Sequence, residues 1–139
     1  MNGYANQYQQ NQIATASREQ ILLMLYDGAI RFAKQAKQGI IDKDMDIKGR
    51  YIGKTMAIIS EFSTSLDHKV GGKIASDLDA LYNYIINELS QANLKNTTEP
   101  LDIVVDMLQD LRNTWAEAIE INTTENQETG SGSQREATA

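Results

Sequence analysis

Apolar residues recur at helical spacing over four stretches of this chain, with polar residues between them. In the first stretch, Leu22, Leu25, Ala29, Phe32, Ala36 and Ile40 form an inward stripe, flanked by Leu23, Tyr26, Ile30 and Ala33. Ser17 with Gln20 three residues on has the spacing of a capping box, so helix 1 is predicted from there to about Ile41. Residues 42–46 read as a turn with candidate N-caps. Helix 2 is predicted from about Ile47 to Leu66, on Ile52, Thr55, Ile59, Phe62 and Leu66. The Gly71-Gly72 pair is the strongest breaker in the chain and predicts a turn. Helix 3 follows from about Lys73 to Asn93, with Ile74, Leu78, Leu81, Ile85, Leu89 and Ala92 inward. Thr98 caps helix 4, and Pro100 sits in its first turn, where a missing N–H costs little. Leu101, Val104, Leu108, Leu111, Trp115 and Ala118 carry that helix to about Ile121. No strand pattern and no internal repeat compete. The fold class predicted is all-α: an antiparallel up-and-down four-helix bundle over residues 17–121, with an N-terminal arm over 1–16 and a disordered tail over 122–139.

One stretch breaks the amphipathic pattern. Ile21, Leu22, Leu23, Met24, Leu25 and Tyr26 are six apolar residues in succession. A surface helix needs only one apolar stripe. Six in a row cover every side of the helix, and Met24 falls on the side that carries Asp27, Arg31 and Lys34. The core takes one face, and the surplus calls for the N-terminal arm, a second copy or a partner. The arm is rich in Gln and Asn, with Tyr4, Tyr8 and Ile13 as isolated apolar points. A second feature lies on helix 2, where Gly49, Gly53, Ala57 and Ser60 make one smooth face. Glycine within a helix costs about 1 kcal/mol relative to alanine, so two on one face imply a compensating gain. Either they pack closely against a neighbouring helix of the bundle, or they form a shallow groove for a partner's helix.

Composition narrows the chemistry. The 139 residues suit one domain, and the absence of cysteine leaves no disulfide, thiol nucleophile or cysteine metal site. No apolar run approaches membrane-spanning length and no secretory signal pattern opens the chain, so a cytoplasmic protein is expected. The formal net charge of -6 argues against nucleic acid or an anionic membrane as a main partner. The single histidine, His68, is read as a helix C-terminal residue favoured there by the dipole. Helix 4 carries Asp102, Asp106, Asp110, Glu117 and Glu120 in a row, which spreads oxygens along a solvated face instead of converging them on a metal. There is no Glu-x-x-His pair, no Walker loop and no GxGxxG. No cofactor and no enzyme activity are expected. Among the remaining aromatics, Trp115 is placed in the core. Tyr82 flanks it with its hydroxyl at the edge, and Tyr84 lies on the polar side with Asn87 and Gln91.

Tyr8-Gln9-Gln10-Asn11, Ala14-Thr15-Ala16-Ser17 and Leu23-Met24-Leu25-Tyr26-Asp27-Gly28-Ala29 together resemble the opening of the FliS family, the flagellin-specific export chaperones of bacteria. Leu81-Tyr82-Asn83-Tyr84 with Leu89 and Ala92-Asn93 is similar to the family's helix 3, and Leu111-Arg112 with Trp115 to its helix 4 ending. The resemblance covers residues 4 to about 121. It implies a four-helix bundle that holds the disordered C-terminal segment of flagellin in the cytoplasm. It also implies that the chaperone blocks premature polymerisation and delivers flagellin to the export gate. The partner-binding residues expected are Tyr8, Ile13, Leu23, Met24, Tyr26, Ala29, Gly49, Gly53, Ala57, Tyr82 and Tyr84. Gly49 and Gly53 enter on their spacing, not on the resemblance. The free chaperone is expected to be a monomer. The rival reading is a self-associating helical bundle, structural or adaptor, that uses the same surface as a dimer interface.

Overall fold

Three of the four helix starts are written into a side chain that accepts from orphan backbone N–H groups; at the fourth the acceptor is the Thr98 carbonyl and not the side-chain cap expected of Thr98. The computed structural model describes the backbone of residues 16–138 and the side chains of residues 16–125. Helix α1 spans Arg18–Ile41. It opens on the expected capping box: the Gln20 backbone N–H donates to Ser17 Oγ at 3.2 Å, and the Ser17 N–H donates to Gln20 Oε1 at 3.0 Å. It closes in a Schellman turn, in which Lys43 takes φ 57° and the Asp44 N–H donates to the Gly39 carbonyl at 2.8 Å. Helix α2 spans Met45–Thr64, with Asp44 accepting from the Ile47 N–H at 3.1 Å. Helix α3 spans His68–Lys95, capped by Asp67, and ends on Asn96 in the left-handed conformation. Helix α4 spans Glu99–Thr138, with Pro100 as its second residue and the Thr98 carbonyl accepting from Leu101 and Asp102. The described residues contain four helices and no strand.

Two boundaries differ from expectation. The Gly71-Gly72 pair breaks the helical path as expected, but it does not mark the start of α3, which begins at His68. One turn forms ahead of the pair on the Asp67 cap, and the break inside α3 falls at Gly72, with φ 51°, ψ -122°, a conformation that favours glycine. His68 therefore begins α3 instead of ending α2, and the dipole argument for its place fails. The backbone of α4 is helical to Thr138, so Ile121 marks the end of the apolar spacing and not of the helix.

The chain divides into two compact units, Met24–Asp110 and a second made of Met1–Leu23 with Leu111–Ala139. Within Met24–Asp110 the helices alternate in direction. Tyr26 meets Phe62, Phe32 meets Tyr51, and Gly39 abuts Lys48, so α1 and α2 run antiparallel. Phe62 meets Tyr82, and Lys48 meets Asn93 and Asn96, so α2 and α3 do too. The ion pair of Lys37 with Asp102, at 2.7 Å, puts the start of α4 beside the end of α1. The core is filled by Ala29, Ala33 and Ala36 of α1, Ile52, Thr55 and Ile59 of α2, Ile85, Leu89 and Ala92 of α3, and Leu101, Val104 and Leu108 of α4.

The inward stripe of α1 is rotated from the predicted one. Tyr26, Ile30 and Ala33, expected at the flank, are buried, whereas Leu25 is 36% exposed and Leu22 and Phe32 are half-buried. Helix α3 shows the same kind of shift: Ala75 and Tyr82 are buried, and Ile74 and Leu81 are exposed. Among α4's expected core residues, Leu111 and Trp115 are half-buried and Ala118 is exposed.

Candidate docking surface

The six-residue apolar run is not absorbed by the fold. Only Tyr26 is buried; Ile21, Leu22, Leu23 and Met24 are half-buried, and Leu25 is exposed. Five consecutive apolar side chains thus keep part of their surface in water, on successive sides of one helix. Leu23 and Met24, both expected as contact residues, are half-buried.

Three other expected contact residues are corrected. Tyr26 and Tyr82 are 0% and 2% exposed, and Ala29 is fully buried. The two tyrosines belong to an aromatic cluster that joins three helices. Tyr26 stacks on Phe62 with ring centroids 4.4 Å apart, and Phe62 lies 5.7 Å from Tyr82. Their hydroxyls share a buried hydrogen bond at 2.7 Å, so the Tyr82 hydroxyl is inside the core and not at its edge. A phenol can be buried only if its hydroxyl finds a partner, and two phenols on different helices supply each other. Tyr84 remains on the outside of α3, 46% exposed. Tyr8 and Ile13 lie outside the described residues.

The two readings of the small-residue face can be separated by geometry. A Cβ built on Gly49 or Gly53 meets nothing within 4 Å, and both glycines and Ala57 are exposed. They do not serve close packing within the bundle. The glycine that does is Gly39, where a Cβ would fall 2.7 Å from the Lys48 backbone nitrogen and 3.1 Å from Ile47 Cγ2. The outer side of α2 is therefore a smooth strip of backbone open to close approach.

Two further features went unread in the sequence. Lys48 is buried, at 8% exposure, and its ammonium donates to the Asn93 carbonyl at 3.1 Å and to Asn96 Oδ1 at 2.6 Å. It leaves the first turn of α2 to cap the C-terminus of α3, where the dipole favours a cation. Its place four residues before Ile52 and seven before Thr55, in register with the buried stripe of α2, was the available signal. The second feature is a cation–aromatic seam between α1 and α2. Phe32 and Tyr51 lie 5.7 Å apart, Lys54 stands 5.4 Å and 5.1 Å from their ring centroids, and Arg31 stands 5.5 Å from Phe32.

Among the described residues no three His, Cys, Asp or Glu side chains gather as a metal site would need. Asp102 of the acidic row is engaged with Lys37. No helix among the described residues is long and apolar enough to cross a membrane. Among the described residues the surface offers partly exposed apolar side chains and a smooth backbone strip.

Comparison with known proteins fits that geometry. The model of the family described as flagellar protein FliS matches residues 1–122. The flagellar secretion chaperone FliS of Bacillus subtilis (strain 168) is 35% identical over 113 residues, covering 81% of this chain and 84% of that protein. The flagellar secretion chaperone FliS of Vibrio cholerae is 34% identical over 105 residues, covering 76% and 77%. That of Campylobacter jejuni is 35% identical over 112 residues, covering 81% and 88%. A family match over nearly the whole chain, with relatives of this identity and coverage, settles the assignment: the chain belongs to the FliS family of flagellar proteins, a family of secretion chaperones and not of enzymes.

Proposed function

We propose that this chain is a cytoplasmic export chaperone for flagellin. It binds the disordered C-terminal segment of flagellin, keeps it from polymerising early, and carries it as a complex to the export gate of the flagellar type III apparatus. The observation that carries this reading is the apolar run from Ile21 to Leu25, none of whose side chains is fully buried. A disordered ligand that orders on binding gives up about 2–5 kcal/mol, and extended apolar surface offsets that loss. Helix recognition in a groove uses anchors one turn apart, and close backbone approach needs small residues beneath them. Leu23, Met24 and Leu25 supply apolar area, and Gly49, Gly53 and Ala57 supply a smooth strip. The arm with Tyr8 and Ile13 shields the apolar run in the free chaperone, and flagellin displaces or repositions it.

Titration of a labelled flagellin C-terminal peptide tests the reading. Gly53→Leu should weaken binding while thermal melts remain those of a folded bundle. Equal affinity would remove the strip from the binding surface. Deleting residues 1–16 should raise apolar-dye binding and alter affinity for the peptide; unchanged values in both would end the shielding role. Sedimentation of the free chain should show a monomer at micromolar concentration. A stable dimer with no peptide binding would favour the self-associating bundle instead.

A further inference from the structure

The charge of this chain is unevenly placed. Residues 31–54 hold seven of its 13 lysines and arginines but only three of its 19 carboxylates, a net +4 against -10 for the remainder. Arg31, Lys34 and Lys54 are exposed, and among the described residues none of the three has an ion-pair partner. Arg50, on the same helix as Lys54, is engaged by Asp46 at 2.8 Å. Arg31 and Lys54, while exposed, lie over the half-buried rings of Phe32 and Tyr51.

We propose that this α1–α2 seam is a docking surface for an acidic amphipathic helix of a partner polypeptide. The proposal stands apart from the flagellin reading and uses none of its residues. Two antiparallel helices leave a groove along their seam, and a third helix fills such a groove with its apolar stripe. Here the half-buried rings of Phe32 and Tyr51 meet across the two helices, and a cation from each helix, Arg31 of α1 and Lys54 of α2, lies over them. A carboxylate brought to Arg31 and Lys54 meets charges that already rest on low-dielectric rings. Its attraction is therefore stronger than to a fully solvated lysine. Nucleic acid fits less well. Bases need open aromatic faces to stack on, the faces here are covered by cations, and the net charge of -6 repels a polyanion at long range. The chain's own ends do not match either. Residues 1–16 contain no carboxylate, and residues 122–139 contain no large apolar residue.

The test uses the full chain and a labelled helical peptide of about 20 residues, with an apolar stripe of leucine bordered by glutamates at one-turn spacing. Its glutamine counterpart and a single-stranded oligouridylate serve as the comparison ligands. The glutamate peptide should bind and shift the amide resonances of Phe32, Tyr51 and Lys54. Its affinity should fall as ionic strength rises toward about 0.5 M. The paired substitution Arg31→Glu with Lys54→Glu should weaken it by about tenfold or more. The same charge change at Lys69→Glu with Lys73→Glu should leave it within about twofold. Circular dichroism checks that both variants fold. Several results would overturn the proposal: no binding of the glutamate peptide, equal binding of the glutamine peptide, resonance shifts elsewhere, or tighter binding of the oligouridylate. Self-association abolished by the Arg31/Lys54 pair, in place of peptide binding, would also overturn it and assign the seam to a second copy.

Discussion

Alanine in place of two glycines on neighbouring helices should move stability in opposite directions. At Gly39 the added methyl falls 2.7 Å from the Lys48 backbone nitrogen and 3.1 Å from both Lys48 Cα and Ile47 Cγ2. Two of these three atoms are backbone, so no side-chain rotation relieves the clash. The end of α1 and the start of α2 must separate by several tenths of an ångström. Yet the turn between them is closed by the bond from the Asp44 N–H to the Gly39 carbonyl at 2.8 Å. Overpacking of this kind costs about 1–3 kcal/mol. The helix-propensity gain of Gly→Ala returns about 1 kcal/mol at most, and less so near a helix end. Gly39→Ala should therefore destabilise the fold by about 1–2 kcal/mol. At Gly53 nothing lies within 4 Å, so only the propensity gain remains, up to about 1 kcal/mol in favour of the variant. The two variants should differ by about 2–3 kcal/mol in urea unfolding and by roughly 10 °C in Tm. Equal stability of the two, or a Gly39→Ala protein more stable than the parent, would refute the assignment of the packing role to Gly39 and of open space to Gly53.

Other perturbations probe the core and the helix ends. A double-mutant cycle of Tyr26→Phe and Tyr82→Phe, followed by thermal unfolding, should return a coupling of about 1 kcal/mol for the shared hydroxyl bond, and additive losses would deny that the pair interacts. Lys48→Met keeps the buried stem but removes two hydrogen bonds at the end of α3, and should cost about 1–3 kcal/mol with faster amide exchange confined to the last turn of that helix. Lys43→Gly relieves a left-handed lysine in the α1–α2 turn and should stabilise by about 1 kcal/mol in denaturant unfolding.

Much of the architecture was legible in the sequence because local rules and packing agree there. The capping box at Ser17, the Asp44 cap and the proline at Pro100 mark real helix starts, and the spacing of Ile52, Thr55, Ile59 and Phe62 is the buried face of α2. The failures have physical causes. On α1 the apolar residues are too dense to define one stripe, so spacing alone did not reveal that Tyr26 faces inward and Leu25 outward. Tertiary pairing decided it, since Tyr26 finds Phe62 and the Tyr82 hydroxyl on two other helices. Lys48 broke the rule that a lysine points to water because the C-terminus of α3 lies within its reach. The glycine-rich face of α2 was read correctly as a pattern but left two explanations open. Pattern records that small residues share a side; only coordinates show whether another helix is there.

The division between what is locked and what is left open is the one the proposed holding role requires. Around Tyr26, Phe62 and Tyr82, three helices are tied by ring packing and a buried hydroxyl bond, and Lys48 ties a fourth contact at the opposite end. No buried side-chain polar atom among the described residues lacks a partner. Within the same unit as that frame, Met24 is half-buried and Leu25 is exposed. The area required is modest: offsetting an ordering loss of about 5 kcal/mol takes roughly 200 Å² of apolar surface removed from water. A few half-buried side chains on each side of the interface reach that figure. A much larger exposed patch would bind more tightly, but it would also invite self-association and hinder release. A chaperone that must hand its cargo on is therefore better served by apolar surface spread around one helix and along a smooth strip than by a single deep pocket. That is the distribution found here: half-buried residues from Ile21 to Met24, exposed Leu25, and open backbone at Gly49 and Gly53.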